Sequence, residues 1–142
     1  KKKDTDIVVS EIYEYDIDST AEDLDCFCHD CSDDGVSQHD NTTGTIMGGE
    51  FCGCGKGGIS SPINSAKIDI YNAYCHDNDY GIYASNSSGE TQNYTIFGCV
   101  LVGNRMGIKN VGHQARLHGN VIKDNTTNIS NESGGTTTDF DT

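Results

Sequence analysis

The chain has 142 residues, of which 34% are apolar, and it contains 17 glycines, one proline and no tryptophan. Its net charge of −13 disfavours nucleic acid and anionic membrane surfaces as partners. The length suits one domain, and the sequence has no apolar run of about 18 residues that would span a membrane.

A dipeptide pattern recurs along the chain, in which a small residue, mostly glycine, precedes a β-branched residue. The spacings are 23, 23, 26 and 21 residues. The five members are Gly35-Val36, Gly58-Ile59, Gly81-Ile82, Gly107-Ile108 and Asn128-Ile129. Glu11-Ile12 lies 24 residues before the first member and predicts an earlier coil at residues 6–20. A period in the low twenties indicates a solenoid.

Each repeat consists of short strand patterns separated by corners. Ile68-Asp69-Ile70 and Ala73-Tyr74-Cys75 alternate with period two, as half-buried strands do. Gly, Asn and Asp lie between them, where the chain must turn sharply. We therefore predict an all-β fold, a parallel β-helix of about five to six coils of 21–26 residues. Residues 1–130 would form the β-helix and residues 131–142 a polar Thr- and Gly-rich tail.

Alignment on the glycine also predicts which way the side chains of one strand point. The column six places before the glycine is predicted to face inward and contains His29, Cys52, Cys75, Leu101 and Ile122. The column seven places before it is predicted to face outward and contains Cys28, Phe51, Tyr74, Val100 and Val121. Phe51, Tyr74, Val100 and Val121 would then form an apolar stripe that another subunit covers. Scattered surface hydrophobic residues are the simpler alternative.

Two polar columns predict contacts between stacked coils. Asn78, Asn104 and Asn125 lie three places before the glycine and can form a hydrogen-bonded ladder. The column two places before the glycine alternates in sign and contains Asp33, Lys56, Asp79 and Arg105. Such pairs stabilise register by a few tenths of a kcal/mol, up to about one. This structural interpretation weakens a catalytic role for Asp33 and Asp79.

Seven cysteines leave three alternatives open. The segment CFCHDC, with His29, has a spacing that zinc sites use. The coil alignment instead places Cys31 near Cys54 and Cys52 near Cys75, about 4.8 Å apart and within reach of a disulfide. Stacked core thiols are favoured, then the disulfides Cys31–Cys54 and Cys52–Cys75. A metal site is the least favoured, so none is predicted.

The densest polar stretch is residues 28–41. Asp33, Asp34 and His39 are candidate catalytic residues, because carboxylates near a histidine can do acid–base work on a sugar. Stacked aspartates could instead hold Ca²⁺ as a cofactor. Asp34 also precedes a glycine, where aspartate commonly forms a turn. The candidate binding residues come from later coils and an inserted loop, and they are Lys56, His76, Asp77, Asp79 and Asn86.

The segments SDDGVSQHDN, GGEFCGCGKGGIS and KIDIYNAYCHDNDYGIYAS resemble the pectate-lyase-like right-handed parallel β-helix, over about residues 20–130. Within that group the chain is most similar to the β-helices of bacteriophage tailspikes and virion fibres. The resemblance implies a trimeric rod, on a virion or outside the cell, that binds surface polysaccharide. It also allows a polysaccharide lyase or glycoside hydrolase acting through Asp33, Asp34 and His39, or a purely architectural subunit. Binding without catalysis is favoured.

Overall fold

A computed structural model describes residues 8–10, 15–17, 20–64, 66–87 and 89–141. These residues form strands and no helix, so no helix among them could cross a membrane. The strands are β1 (Val8–Ser10), β2 (Tyr15–Ile17), β3 (Thr20–Leu24), β4 (Phe27–His29), β5 (Val36–Gln38), β6 (Thr43–Met47), β7 (Glu50–Cys52), β8 (Gly57–Ser61), β9 (Lys67–Tyr71), β10 (Tyr74–His76), β11 (Tyr80–Ser85), β12 (Asn93–Phe97), β13 (Val100–Val102), β14 (Met106–Val111), β15 (Gln114–His118), β16 (Val121–Lys123), β17 (Thr127–Glu132) and β18 (Thr136–Asp139).

Every third strand belongs to the same sheet, and all neighbouring strands are parallel. Sheet 1 contains β1, β4, β7, β10, β13 and β16, and sheet 2 contains β2, β5, β8, β11, β14 and β17. Sheet 3 contains β3, β6, β9, β12, β15 and β18. Three consecutive strands make one coil, so that coil 1 contains β1–β3, coil 2 contains β4–β6, and coil 6 contains β16–β18. The coils stack along one axis. The predicted parallel β-helix is therefore confirmed.

The stack extends past residue 130, where a tail was predicted to begin. β17 continues to Glu132, and β18 pairs with β15, placing Thr136 beside Gln114 and Asp139 beside Leu117. Residues 136–139 are therefore part of sheet 3. Their threonines are β-branched and suit a strand, which their polar composition concealed. At the other end, β1, β2 and the first residue of β3 overlap the predicted coil at 6–20, and the rest of that coil lies outside the described residues.

The interior of sheet 2 confirms the alignment on the glycine. Val36, Ile59, Ile82 and Ile108 are register partners in successive coils, and all four are buried. Ile129 continues the column and is partly buried. Each fully buried side chain of this size contributes about 1.5–3 kcal/mol. The repeated β-branched residue is thus a core position.

In sheet 1, the side chains of coils 2 and 3 point in the opposite direction to the one predicted. Cys28 pairs with Phe51, and Phe51 with Cys75, and all three are 0% exposed. Cys52 pairs with His76 instead, in an outward column that also contains His29. The predictions that Phe51 and Cys28 face outward, and that Cys52 and His29 face inward, were therefore wrong.

One additional corner residue explains this correction. Four steps separate Cys31 from Gly35 and Cys54 from Gly58, whereas three separate Asn78 from Gly81. An alignment anchored on the glycine is therefore one place out for everything before the corner in coils 2 and 3. In a strand, one place exchanges the two faces.

The predicted asparagine ladder lies at this same corner. Asn78 N–H donates to Oδ1 of Asn104 at 3.0 Å, and Asn104 N–H donates to Oδ1 of Asn125 at 2.8 Å. Their side-chain amides also bond to each other, at 3.1 and 3.0 Å. Cys54 N–H donates to Oδ1 of Asn78 at 3.0 Å, so Cys54 occupies the ladder position of coil 3. The ladder is confirmed and reaches one coil further than predicted.

A column of left-handed residues comes directly after the strands of sheet 1. Its φ angles are 55° at Asp30, 68° at Gly53, 58° at Asp77, 69° at Gly103 and 57° at Asp124. Glycine and aspartate tolerate this conformation better than other residues. Because of this column, Asp77 and Asp30 stand next to the outward histidines of sheet 1.

The alternating charge column forms two of its predicted pairs. Lys56 Nζ lies 3.3 Å from Asp33 Oδ1, and Arg105 Nε lies 2.5 Å from Asp79 Oδ1. These side chains are 31–59% exposed, so solvent screens both pairs strongly. The charged column therefore mainly fixes the stacking register.

Candidate functional site

The structure separates the three predicted catalytic residues. Asp34 is buried, and its Oδ1 accepts hydrogen bonds from Gly57 N–H at 2.9 Å and Ser60 Oγ at 2.6 Å. Asp33 pairs with Lys56 on the surface. His39 Nε2 lies 2.7 Å from the hydroxyl of Ser37. The buried carboxylate of Asp34 thus serves the packing of coil 2 on coil 3.

Asp34 provides a test of this structural role. Burial raises the pKa of its carboxyl, although the bonds from Ser60 and Gly57 oppose the shift. Because the folded-state pKa is raised, the Asp34 carboxyl contributes most to stability below its unfolded-state pKa. This contribution is lost as pH rises through the folded-state pKa. We expect Asp34→Asn to keep both acceptor contacts and to gain stability relative to wild type as pH rises from about 4 to 8. Urea unfolding across this range measures the difference.

Asp34→Ala is the matched variant. It leaves the Gly57 N–H and the Ser60 hydroxyl without their acceptor and should be about 1–3 kcal/mol less stable than Asp34→Asn at every pH. If Asp34→Asn were as destabilised as Asp34→Ala at neutral pH, the ionised carboxylate would be needed there, contrary to this assignment.

All seven cysteines are free thiols in the structure. The proposed Cys52–Cys75 pairing was wrong, because Cys75 faces the core and Cys52 the outside of sheet 1. Cys31 and Cys54 remain neighbours at the corner, and a bond between them stays a prediction. Burial raises the pKa of Cys54 to about 12 and that of Cys99 to about 11, so these core thiols stay protonated.

The outer face of sheet 1 carries a histidine bonded to two carboxylates. His76 Nε2 lies 2.7 Å from Glu50 Oε2, and its Nδ1 lies 2.6 Å from Asp77 Oδ2. The Tyr74 ring stacks on the imidazole with centroids 4.3 Å apart. Burial alone would lower the pKa of His76, but its bonds to Asp77 and Glu50 outweigh that effect and raise it.

A second copy of this arrangement lies two coils away on the same face. His29 Nδ1 lies 3.0 Å from Asp30 Oδ2, and the Phe27 ring stacks on the imidazole at 4.7 Å. The sequence signal is the repeated tripeptide Cys-His-Asp, at residues 28–30 and 75–77. Cys52 lies between the two histidines in the same column.

Of the predicted binding residues, the structure brings together only His76 and Asp77. Lys56 and Asp79 are held in separate ion pairs. Asn86 Nδ2 donates to the Gly112 carbonyl at 3.1 Å, and Thr91 Oγ1 donates to the same oxygen at 3.0 Å. The inserted loop is thus bonded to the next coil. Tyr74, Val100 and Val121 do share an outward column, with Tyr74 40% and Val121 44% exposed.

The outer face of sheet 3 carries a row of large apolar and aromatic side chains that the sequence prediction missed. We call this row the aromatic ladder, and it contains Met47, Tyr71, Phe97, His118 and Phe140. Phe97 is 42% exposed, with its ring centroid 6.2 Å from that of Tyr71 and 4.7 Å from that of His118. Contiguous exposed apolar patches are common at interaction sites of proteins.

A polar column runs beside the aromatic ladder. It contains Asp69, Thr95, Arg116 and Thr138. The guanidinium carbon of Arg116 lies 5.9 Å from the Phe140 ring centroid, and no described carboxylate pairs with Arg116. A shallow hollow of about 260 Å³ is lined by Thr95, Arg116, His118 and Phe140. This face therefore offers stacking, hydroxyl and cationic groups side by side, together with the carboxylates of Asp69 and of Asp141, whose Oδ1 lies 3.0 Å from His118 Nδ1.

The sequence did contain a signal for the aromatic ladder. Tyr71, Phe97 and His118 each directly follow a buried residue of the repeat, namely Ile70, Ile96 and Leu117. In a strand the next residue must point outward. Alignment of that column would have shown an outward aromatic row.

A family model described as "Right handed beta helix region" matches residues 17–127. Searches of curated proteins and of solved structures found no match. The matched span begins in β2 and ends in β17, so it includes the outer faces described above except Thr138 and Phe140.

Proposed function

The chain belongs to the right-handed β-helix family, and from this premise we propose that it binds an extended glycan along the outer face of sheet 3. The aromatic ladder carries this proposal, with Phe97 at its centre. Sugar rings present C–H groups that pack on the negative face of an aromatic ring. The proposed ligand lies parallel to the axis and crosses several coils.

The geometry of the ladder favours a linear polymer over a compact ligand. Neighbouring strands lie about 4.8 Å apart, so the aromatic ladder offers a regular series of contacts instead of one closed pocket. The hollow at Arg116 is shallow and open to solvent. The threonines beside it, Thr95 and Thr138, supply hydroxyls that can donate to and accept from sugar hydroxyls.

Arg116 favours a polysaccharide that contains carboxylates. Its planar guanidinium can form a bidentate bond with a uronate, and the nearby Phe140 ring orients it. The net charge of −13 would oppose an anionic polymer elsewhere on the surface. Binding of an acidic glycan would therefore be restricted to this face and weakened by salt.

Affinity electrophoresis in gels containing polygalacturonate, alginate or neutral dextran tests this proposal. We expect the wild type to be retarded by at least one uronate polymer. Phe97→Ala should weaken that binding about tenfold, because it removes the central stacking ring. Arg116→Gln should remove the preference for uronate over dextran. Tyr83→Ala is the matched control, because it deletes a ring from the outer face of sheet 2.

Two outcomes would contradict glycan binding by this face. In one, Phe97→Ala and Tyr83→Ala would bind each polymer as the wild type does. In the other, Phe97→Ala would change the mass in solution by light scattering without changing retardation, which would make the aromatic ladder a subunit interface.

The other functional predictions receive less support. Cleavage of a polysaccharide would need carboxylates that reach the substrate, whereas Asp34 is buried and Asp33 is paired with Lys56. A trimeric assembly through Tyr74, Val100 and Val121, and a place on a virion or outside the cell, stay predictions.

A further inference from the structure

Three side chains with metal-binding atoms converge on the outer face of sheet 1. Glu50 and Cys52 come from β7, and His76 comes from the neighbouring strand β10. One ligand atom from each lies within 4.8 Å of the other two, and His76 Nε2 is 2.7 Å from Glu50 Oε2. The three residues are 24 to 26 positions apart across the two strands, so only the stacking of coils unites them.

The strand geometry holds this cluster in place. Glu50 and Cys52 flank the buried Phe51, so both point outward from the same strand. Cys52 and His76 are register partners, which sets their side chains beside each other. Because β7 and β10 are bonded within a parallel sheet on both sides, the ligand atoms need little ordering to bind an ion.

A second, independent feature points to a metal ion. The His76 imidazole is fixed through Nδ1 by Asp77 Oδ2 at 2.6 Å, while the Tyr74 ring covers one face. A carboxylate on the far nitrogen is the arrangement that orients metal-binding histidines and raises their basicity. It directs Nε2 toward Glu50 and Cys52, where a divalent ion would replace the direct contact between imidazole and carboxylate.

We propose that Glu50, Cys52 and His76 bind one divalent transition-metal ion, with Asp77 as the positioning residue. A set of one sulfur, one nitrogen and one oxygen matches zinc, whereas Ca²⁺ prefers oxygen ligands alone. Three protein ligands leave a fourth position for solvent or for His29, the register partner of Cys52 on its other side. This site differs both from the expected absence of metal and from the CFCHDC set weighed on spacing alone.

The core thiols are the main competitor for a metal. Cys26 and Cys28 have sulfurs 3.2 Å apart, and Cys31 and Cys54 lie nearby, all buried. No three of these sulfurs form a cluster as compact as the one on sheet 1 within the described residues. A cysteine-rich core site would contain several thiolates, whereas the proposed site contains one, and this difference can be measured.

Titration of the reduced full-length chain with Co²⁺ tests the proposal. We expect one ion per chain, d–d bands of four-coordinate Co²⁺, a charge-transfer band with the intensity of a single thiolate, and displacement by Zn²⁺. Cys52→Ser should abolish the charge-transfer band, and Glu50→Gln or His76→Gln should weaken binding at least tenfold. Asp77→Asn should weaken it about 10- to 100-fold while leaving the single-thiolate band unchanged.

Matched controls use residues of the same types outside the cluster. Cys99→Ser removes a core thiol, and His39→Gln removes a histidine whose neighbour is a hydroxyl. Both should bind Co²⁺ as the wild type does, with far-UV spectra confirming the fold of every variant. X-ray absorption of the zinc-loaded wild type should show one sulfur at about 2.3 Å and otherwise nitrogen or oxygen.

Three results would overturn the proposal. The first is a charge-transfer band that survives Cys52→Ser. The second is a sulfur count of two or more in the wild type, which would assign the metal to the core cysteines. The third is a folded, reduced wild type that binds no Co²⁺ or Zn²⁺ at micromolar concentrations.

Discussion

Replacing Asn104 with alanine is expected to cost about 3–5 kcal/mol of unfolding free energy, a large fraction of the total for a domain of this size. The Asn104 side chain makes four bonds in a buried corner. Its Oδ1 accepts from the N–H and the Nδ2 of Asn78, and its Nδ2 donates to the Cys75 carbonyl and to Oδ1 of Asn125. Alanine would leave the Asn78 N–H and the Cys75 carbonyl unsatisfied, at about 1–3 kcal/mol each.

Chemical unfolding followed by far-UV circular dichroism measures this loss, and two variants calibrate it. Asn125→Ala should cost less, because Asn125 is only half-buried. Asn93→Ala removes an exposed asparagine and should stay within about 0.5 kcal/mol of wild type. If Asn104→Ala proved no more harmful than Asn93→Ala, the asparagine ladder would not stabilise the stack.

Asn104→Asp keeps the shape of the asparagine side chain but replaces its hydrogen-bond donor with an acceptor. The carboxylate keeps an acceptor for the Asn78 N–H but places negative charge against the Cys75 carbonyl and Oδ1 of Asn125. We expect a cost at neutral pH at least as large as that of alanine, since the oxygen that replaces Nδ2 would be buried against two acceptors and no donor.

The asparagine ladder also shows what the sequence could and could not predict. Asn78, Asn104 and Asn125 were aligned correctly, because the corner between them and the glycine has the same length in coils 4 to 6. In coils 2 and 3 the corner is one residue longer, so Cys31 and Cys54 replaced asparagine unnoticed. The length of a corner depends on backbone conformation, and an alignment of residue types does not show that conformation.

The one-residue error in the alignment of coils 2 and 3 also determined which site residues the sequence could identify. A shift of one place put Phe51 on the surface and Cys52 in the core, which concealed the neighbouring positions of Glu50, Cys52 and His76. His76 and Asp77 were identified from their chemistry, and their hydrogen bond is local. The contact between His76 and Glu50 joins residues 26 positions apart, so it required the correct stacking register.

The two outer faces suggest different tasks on one rod. The aromatic ladder and Arg116 lie on sheet 3, whereas the histidine cluster lies on sheet 1. Each face is built by repeating a position once per coil, so its length is set by the number of coils. A metal bound on sheet 1 would therefore leave the proposed glycan surface free, and the two proposals can fail separately.

The repeated glycine is required because there is no space for a side chain, and not because of the positive φ expected at a turn. Gly35, Gly58, Gly81 and Gly107 do not have positive φ. A Cβ built on Gly81 would lie 2.6 Å from the carbonyl oxygen of Gly107 and 3.0 Å from Asn104 Nδ2. Successive coils thus approach each other too closely at this column for any side chain. Asn128 is accommodated in the last member because β17 is the edge strand of sheet 2 among the described residues.

Gly107→Ala is accordingly expected to be among the most damaging single changes, although alanine is otherwise a conservative substitution. Its Cβ would lie 2.5 Å from the Asn128 carbonyl oxygen, 2.9 Å from Asn125 Nδ2 and 3.0 Å from Cγ2 of Ile122. The main obstacle is backbone, which cannot rotate aside, so coils 5 and 6 must separate and strain the ladder bond to Asn125. Overpacking of this kind costs about 1–3 kcal/mol, and we expect the upper end.

Asn128→Ala is the control, because it places the same side chain in the same column where no described strand stacks beyond it. It removes one exposed hydrogen bond, from Asn125 Nδ2 to Asn128 Oδ1 at 3.0 Å, and should therefore change the unfolding free energy by no more than about 1 kcal/mol. Hydrogen exchange adds a spatial test, since Gly107→Ala should speed exchange at the amides joining β14 to β17 before those joining β8 to β11. Equal stabilities for the two alanine variants would mean that the coils can move apart freely, and the repeated glycine would then need another explanation.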